Sequence, residues 1–201
     1  MSVPALRDPI PRSPSGPEKT ISQLLTQWAE LTKAAIAATG HTDGWTEDTP
    51  LAKSKPWDPA GGGVSLAPCA TTASDDASQV TAVVFHAPFE HDPHPIADKL
   101  TAYWESQGFT VTRTIDSTTG TDWMAVEMRA ERADGVEYGL TATTEIVAID
   151  VLTECSADPS IHAWAEERVQ QRLDSLYQTP TPSPSPSPSA GAEVDDDGWV
   201  W

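Results

Sequence analysis

The run PHPIADKLTAYWESQGFTVTRTID, residues 93 to 116, constrains the fold more than any other part of the chain. Ile96, Leu100, Tyr103 and Trp104 recur at i, i+4, i+7 and i+8, which lays one apolar stripe along a helix. Asp92 is placed to cap its start, and Pro93 and Pro95 suit a first turn, where a missing N–H has no helical acceptor to lose. Gly108 stands where the helix needs a left-handed stop. Beyond it Phe109, Val111 and Ile115 alternate with Thr110, Thr112 and Thr114, the period-two signature of a strand. Helix, stop, strand is the expectation, with Phe109, Val111 and Ile115 facing a core.

The rest of the chain falls into place around this unit. Residues 1–17 are proline-rich with little to bury and read as a leader or tether. Thr20 and Gln23 form a capping box, and Ile21, Leu24, Leu25, Trp28, Leu31 and Ile36 trace a helix to a stop at Gly40. Residues 41–63 read as loop, with Trp45 and Trp57 embedded. A short strand is expected over 64–69, a loop over 70–78, and a largely apolar, central strand over 79–85.

The next strands permit a register argument. Segments 123–132 and 136–144 flank Ala133-Asp134-Gly135. A two-residue Asp-Gly turn would set Tyr138 opposite Glu131, whereas a three-residue loop with Gly135 left-handed pairs Ala130 with Tyr138, Met128 with Leu140 and Val126 with Ala142. A slip of one residue turns every side chain to the wrong face, so the second register is expected. A following hairpin around 143–146 then pairs Ala142 with Val147, Leu140 with Ile149 and Tyr138 with Val151, and the same parity carries Cys155 to the core face. A last helix over 159–177 is expected to bury Ile161, Trp164, Ala165, Val169, the stem of Arg168 and Leu173 or Leu176. From residue 179, alternating Pro and Ser reads as an extended spacer leading to the acidic-aromatic end DDDGWVW.

These elements define an α+β domain over 18–178, with a mostly antiparallel sheet of five to six strands and helices on one face, between a leader and a tail. A core of this size buries roughly 70% of its unfolded surface, enough to fold without staples.

Thirty acidic residues stand against twelve basic ones, a formal net charge of −18. Such a chain repels nucleic-acid phosphates and anionic lipid headgroups, so neither is expected as a partner through a basic patch. No apolar run approaches the ~20 residues of a membrane helix, and no signal-peptide pattern opens the chain. A start that is proline-rich suits a mature protein cut from its targeting segment as well as an intact cytoplasmic one.

Cys69 and Cys155 are the two cysteines. They and five histidines are too few for a closed zinc site of the usual spacing. A disulfide, two buried thiols and one reactive thiol all remain open. Both cysteines end strands, and neighbouring strand ends bring such residues within disulfide reach.

Other constellations are weaker. His86, His91 and His94, with Glu90 and Asp92 between them, carry ligands suited to zinc or copper, but the spacing matches no H-E-x-x-H motif and prolines interrupt it, so a surface loop is the better reading. Gly63-Val64-Ser65-Leu66-Ala67 is loosely like a G-x-S-x-G nucleophile elbow, but a loop precedes it and strand or loop follows, where the elbow needs a strand before and a helix after. Trp45 and Trp57, beside Asp43, Glu47, Asp48 and Asp58, are candidates to stack on a sugar or peptide. Large loop aromatics more often fold back over a sheet edge.

The run LTAYWESQGFTVTRT, with VSLAPC before it and LTEC after it, resembles uncharacterised cell-envelope lipoproteins of high-GC Gram-positive bacteria over residues 20–156. The resemblance implies a secreted, lipid-anchored protein with Cys69 and Cys155 joined, and supplies no catalytic residue or cofactor. Met1 would stand where such proteins carry their lipidated cysteine. The reading that results is a non-enzymatic envelope module binding an unknown component, protein or glycan, that is neutral, cationic or aromatic-stacking. A metal-dependent hydrolase using His86, His91 and His94 is one alternative, and a cytoplasmic adaptor with free thiols is another. The Trp199-Val200-Trp201 end has no purpose readable from its residues.

Overall fold

The structure is a computed structural model that describes residues 18–49, 54–60, 63–69, 76–117 and 124–177. The expected leader and anchor at 1–17 and the expected tail from 179 lie outside these residues. The element order is α1 (Ile21–Thr39), β1 (Ser65–Pro68), β2 (Ser78–His86), α2 (His94–Ser106), β3 (Thr110–Ser117), β4 (Ala125–Glu131), β5 (Glu137–Thr143), β6 (Val147–Leu152) and α3 (Pro159–Tyr177). The six strands form one sheet in the order β1-β2-β6-β5-β4-β3, antiparallel at every step.

Local chemistry sets the helix ends. Thr20 and Gln23 close a reciprocal capping box on α1, and Gly40 ends it with φ 80°. At α2 the cap differs from expectation: Pro93 is the N-cap, and Asp92 one residue earlier accepts the His94 backbone N–H at 2.9 Å. The far end is a Schellman stop. Gly108 takes φ 81° and donates to the Glu105 carbonyl, while the Phe109 N–H reaches back to Trp104 O, both at 3.0 Å.

Both hairpins adopt the expected registers. Ala130 faces Tyr138, Met128 faces Leu140, and Ala142, Leu140 and Tyr138 meet Val147, Ile149 and Val151. Gly135 is left-handed with φ 91°. The shared face of these residues packs under α1 and α2, where Leu24, Trp28, Leu100 and Trp104 join Val84, Val126 and Ile149 in one core. The Trp104 ring stacks on Tyr138 at 5.1 Å, and Tyr138 donates its hydroxyl to Leu31 O at 3.1 Å, so one tyrosine ties both helices to the sheet.

Three further expectations fail. β3 carries a bulge between Arg113 and Ile115, so its alternation reverses halfway. Val111 and Arg113 face the helices, and after the bulge Asp116, opposite Val126, does so in place of Ile115, which is 40% exposed. β6 ends at Leu152, three residues before Cys155, which is half-buried. Finally, α3 buries Ile161 alone and packs Trp164 partly against the core, whereas Val169, Leu173 and Leu176 are exposed. The division of the chain into compact units falls at Glu166, so α3 enters a second unit partway along its length.

Candidate functional site

The N-terminal end of α2 brings His94 and Asp92, two of the polar residues that reading the sequence singled out, together with Asp116 and Arg113, which it did not. His94 sits there with both ring nitrogens against carboxylates: Nδ1 lies 2.6 Å from Asp92 Oδ1 and Nε2 2.9 Å from Asp116 Oδ1. A neutral imidazole has one N–H, so two acceptors favour the imidazolium. The His94 pKa is accordingly raised above 6.5, by Asp92 first and Asp116 second. The Asp92 carboxyl is held below its usual range, first by the His94 backbone N–H and then by the ring. Asp116 is lowered by His94 and by Arg113, and Arg113 also pairs with Asp98 on α2. The β3 bulge makes this cluster possible, because it turns Asp116 toward α2.

The arrangement clamps α2 to the edge strand. It leaves His94 no lone pair for metal binding or for taking a proton. The other two histidines of the expected trio stand apart from it. His86, at the end of β2, has Nε2 3.0 Å from Asp43 O and Nδ1 against Ala87 O. His91 is exposed in the loop. Among the described residues, no group of three His, Cys, Asp or Glu is placed to hold a metal ion.

His86 belongs to an aromatic stack instead. Its ring lies 4.4 Å from Phe89 and 5.2 Å from Trp45, and His41 stacks on the same Phe89 at 4.0 Å. Trp45 is 4% exposed and donates its indole N–H to His41 O at 2.8 Å, so its ring belongs to the core and presents no face for a ligand. Trp57 is partly buried and meets Trp28 edge-on at 6.5 Å. Its backbone N–H bonds Trp45 O, and Thr46 bridges Phe85, so this loop closes over the end of β2. Gly44 is required here: with φ 85°, a Cβ would meet His86 Nε2 at 2.8 Å.

A small cleft of about 90 Å3 opens beside the stack, lined by Thr39, His41, Phe89, Asp92, Lys99 and Val147 among others. Lys99 donates to Thr39 O at 2.9 Å, a cation at the carbonyl end of α1, where the helix dipole favours it. A second depression, of about 290 Å3, lies on the sheet face opposite α1 and α2, where Val83, Glu127, Gly139, Thr141 and Asp150 come together. Asp150 accepts from Thr81 Oγ1 at 3.1 Å, and burial is the main cause that raises its pKa. Glu137, 3% exposed beside it, pairs with Arg129.

The cysteines are joined. Cys69 and Cys155, with Cα atoms 6.1 Å apart, link the end of β1 to the segment beyond β6. Ser78 and Ser156 exchange two backbone hydrogen bonds of 2.9 Å close by, which registers the two segments.

These features define an α+β module with one disulfide, a charged clamp, and polar depressions without a metal cluster among the described residues. No family model matches the chain, and no curated protein does. Among solved structures it is similar to a DUF4853 family protein from Actinomyces odontolyticus, with 14% identity and a TM-score of 0.47 over 75% of this chain and 76% of that one. A likeness that loose carries no argument about function.

Proposed function

We propose that this chain is a non-enzymatic binding or structural module of the cell envelope, extracytoplasmic and held there by a lipid near its N-terminus. The disulfide between Cys69 and Cys155 carries the reading, because such bonds persist in oxidising compartments and are rare in a reducing cytosol. It disfavours a cytoplasmic adaptor with free thiols. No described helix is long and apolar enough to cross a membrane.

The partner is an envelope protein or glycan, neutral or cationic. The depression carrying Asp150 and Glu127 suits such a partner, since a net charge of −18 repels an anionic one. The hydrolase alternative gains no support from His86 and His94, whose ring nitrogens are each taken up by separate acceptors.

The test is a thiol titration of the chain isolated from its native source without reductant. No free thiol is expected, and two free thiols would overturn the reading. Mass spectrometry of the same material addresses the anchor, which an unprocessed, unlipidated N-terminus would exclude. Stoichiometric zinc or copper in the purified chain would revive the hydrolase.

A further inference from the structure

The second half of α3 carries an apolar stripe that the described residues leave bare. Val169, Leu173, Leu176 and Tyr177 fall at i, i+4, i+7 and i+8, one face of the helix about 12 Å long. They are 60%, 40%, 73% and 82% exposed. Four large apolar side chains in a row are more than the scattered singles of an ordinary surface.

The flanks of the stripe are not alike. Arg168 and Arg172, the helix's two arginines, stand one turn apart along one side. On the other side Gln170 bonds Asp174 at 2.8 Å, and on the back Gln171 bonds Glu167 at 3.1 Å. An occupant suited to this surface is apolar, with negative charge beside it.

The chain itself contains that pattern. Residues 195–201 read Asp-Asp-Asp-Gly-Trp-Val-Trp, three carboxylates followed by two indoles and a valine. We infer that this acidic-aromatic segment docks on the α3 stripe of its own chain, with Trp199 and Trp201 against Val169, Leu173, Leu176 and Tyr177 and the aspartates beside Arg172.

Reach does not limit this. The chain from Tyr177 to Trp199 has a contour of up to roughly 70 Å, several times the length of the stripe. A tether of that kind gives an effective concentration on the order of millimolar, so even a contact with millimolar intrinsic affinity is occupied about half the time. The chain's surplus of acid makes the flank matched to three aspartates selective, because cationic positions are scarce on this protein.

The test uses the full chain with 15N-labelled tryptophan. Trp199 and Trp201 indole order parameters above about 0.6 indicate docking, and lower values indicate free motion. Docking predicts ordered indoles that loosen in Leu173→Ser/Leu176→Ser and in Arg172→Glu, and that are unaffected by tenfold dilution. Should the serine variant lose α3 by circular dichroism, Arg172→Glu decides alone. Indoles already mobile in the unaltered chain overturn the inference, as do ordered indoles indifferent to the variants. Order that disappears on dilution assigns the stripe to a second copy and also overturns it.

Discussion

Replacing Cys69 and Cys155 together by serine removes a constraint on the unfolded chain while leaving almost every native contact in place. The bond spans a sequence separation of 86 residues, a loop that holds β2 to β6 and α2. In the chain-entropy treatment, closing a loop of that length restricts the denatured state by roughly 4–5 kcal/mol at 25 °C. For a domain of this size each 1 kcal/mol moves the melting midpoint by about 2–4 °C, so a fall of about 8–20 °C is expected. The assay is guanidinium unfolding followed by tryptophan fluorescence, on the oxidised chain, the reduced chain and the double serine variant. The reduced chain and the variant should unfold alike and with a steeper denaturant dependence than the oxidised chain, because an uncrosslinked denatured state exposes more surface. Loss of less than about 1 kcal/mol with an unchanged slope would show that the bond does not close this loop in solution.

Trp104→Ala should cost about 3–5 kcal/mol by denaturant unfolding, since the ring is fully buried and stacked on Tyr138. Gly108→Ala should cost about 1–2 kcal/mol, because φ is 81° but the space is open, and Gly44→Ala more than that, because its Cβ also strikes His86. His94 should titrate by NMR with a midpoint above 6.5, and Asp116→Asn should lower it. Because the folded pKa is the higher one, His94 contributes stability fully present below pH 6.5 and lost as pH rises through the folded value. Asp92 and Asp116 are lowered, so their share is present above about pH 3.8 and lost as pH falls through their folded values. Protection factors of the β3 amides, which remove the intrinsic pH dependence of exchange, should therefore be greatest in mild acid and fall toward alkaline pH.

The sheet was legible because its constraints are local and mutually consistent. Gly135 forces one loop, the loop fixes the pairing of Ala130 with Tyr138, and parity then carries through to Val151 without further information. What escaped was what parity and periodicity do not encode. The bulge between Arg113 and Ile115 inserts one residue in an edge strand, and TVTRTID reads as unbroken alternation with or without it. The α3 stripe was legible as amphipathic, but periodicity shows that a face is apolar and not whether anything covers it. Spacing leaves Trp45 and Trp57 open as ligand platforms or as cover for a sheet edge, and it does not encode the loop pairing of Thr46 with Phe85 that positions them. The His94 clamp needed Asp116, 22 residues away and brought to the inner face only by the bulge.

That dependence bears on what the polar groups can do. A general base needs a free lone pair, and His94 spends both nitrogens on carboxylates, while His86 faces two carbonyl oxygens. Burial moves the pKa of Asp150 up, which is the first requirement of a general acid. The depression that holds Asp150 is lined also by Glu127, Thr114, Thr141 and Met128. A half-buried acid on a face of small residues, Gly139 and Ala148 among them, is suited to accepting a hydrogen bond from a cationic or hydroxyl-bearing group laid across the strands. Asp150→Asn, which keeps the shape and removes the charge, should therefore weaken partner binding while the fold stays intact by circular dichroism. An unchanged affinity would move recognition away from this face, and the cleft beside Lys99 would be the next place to test.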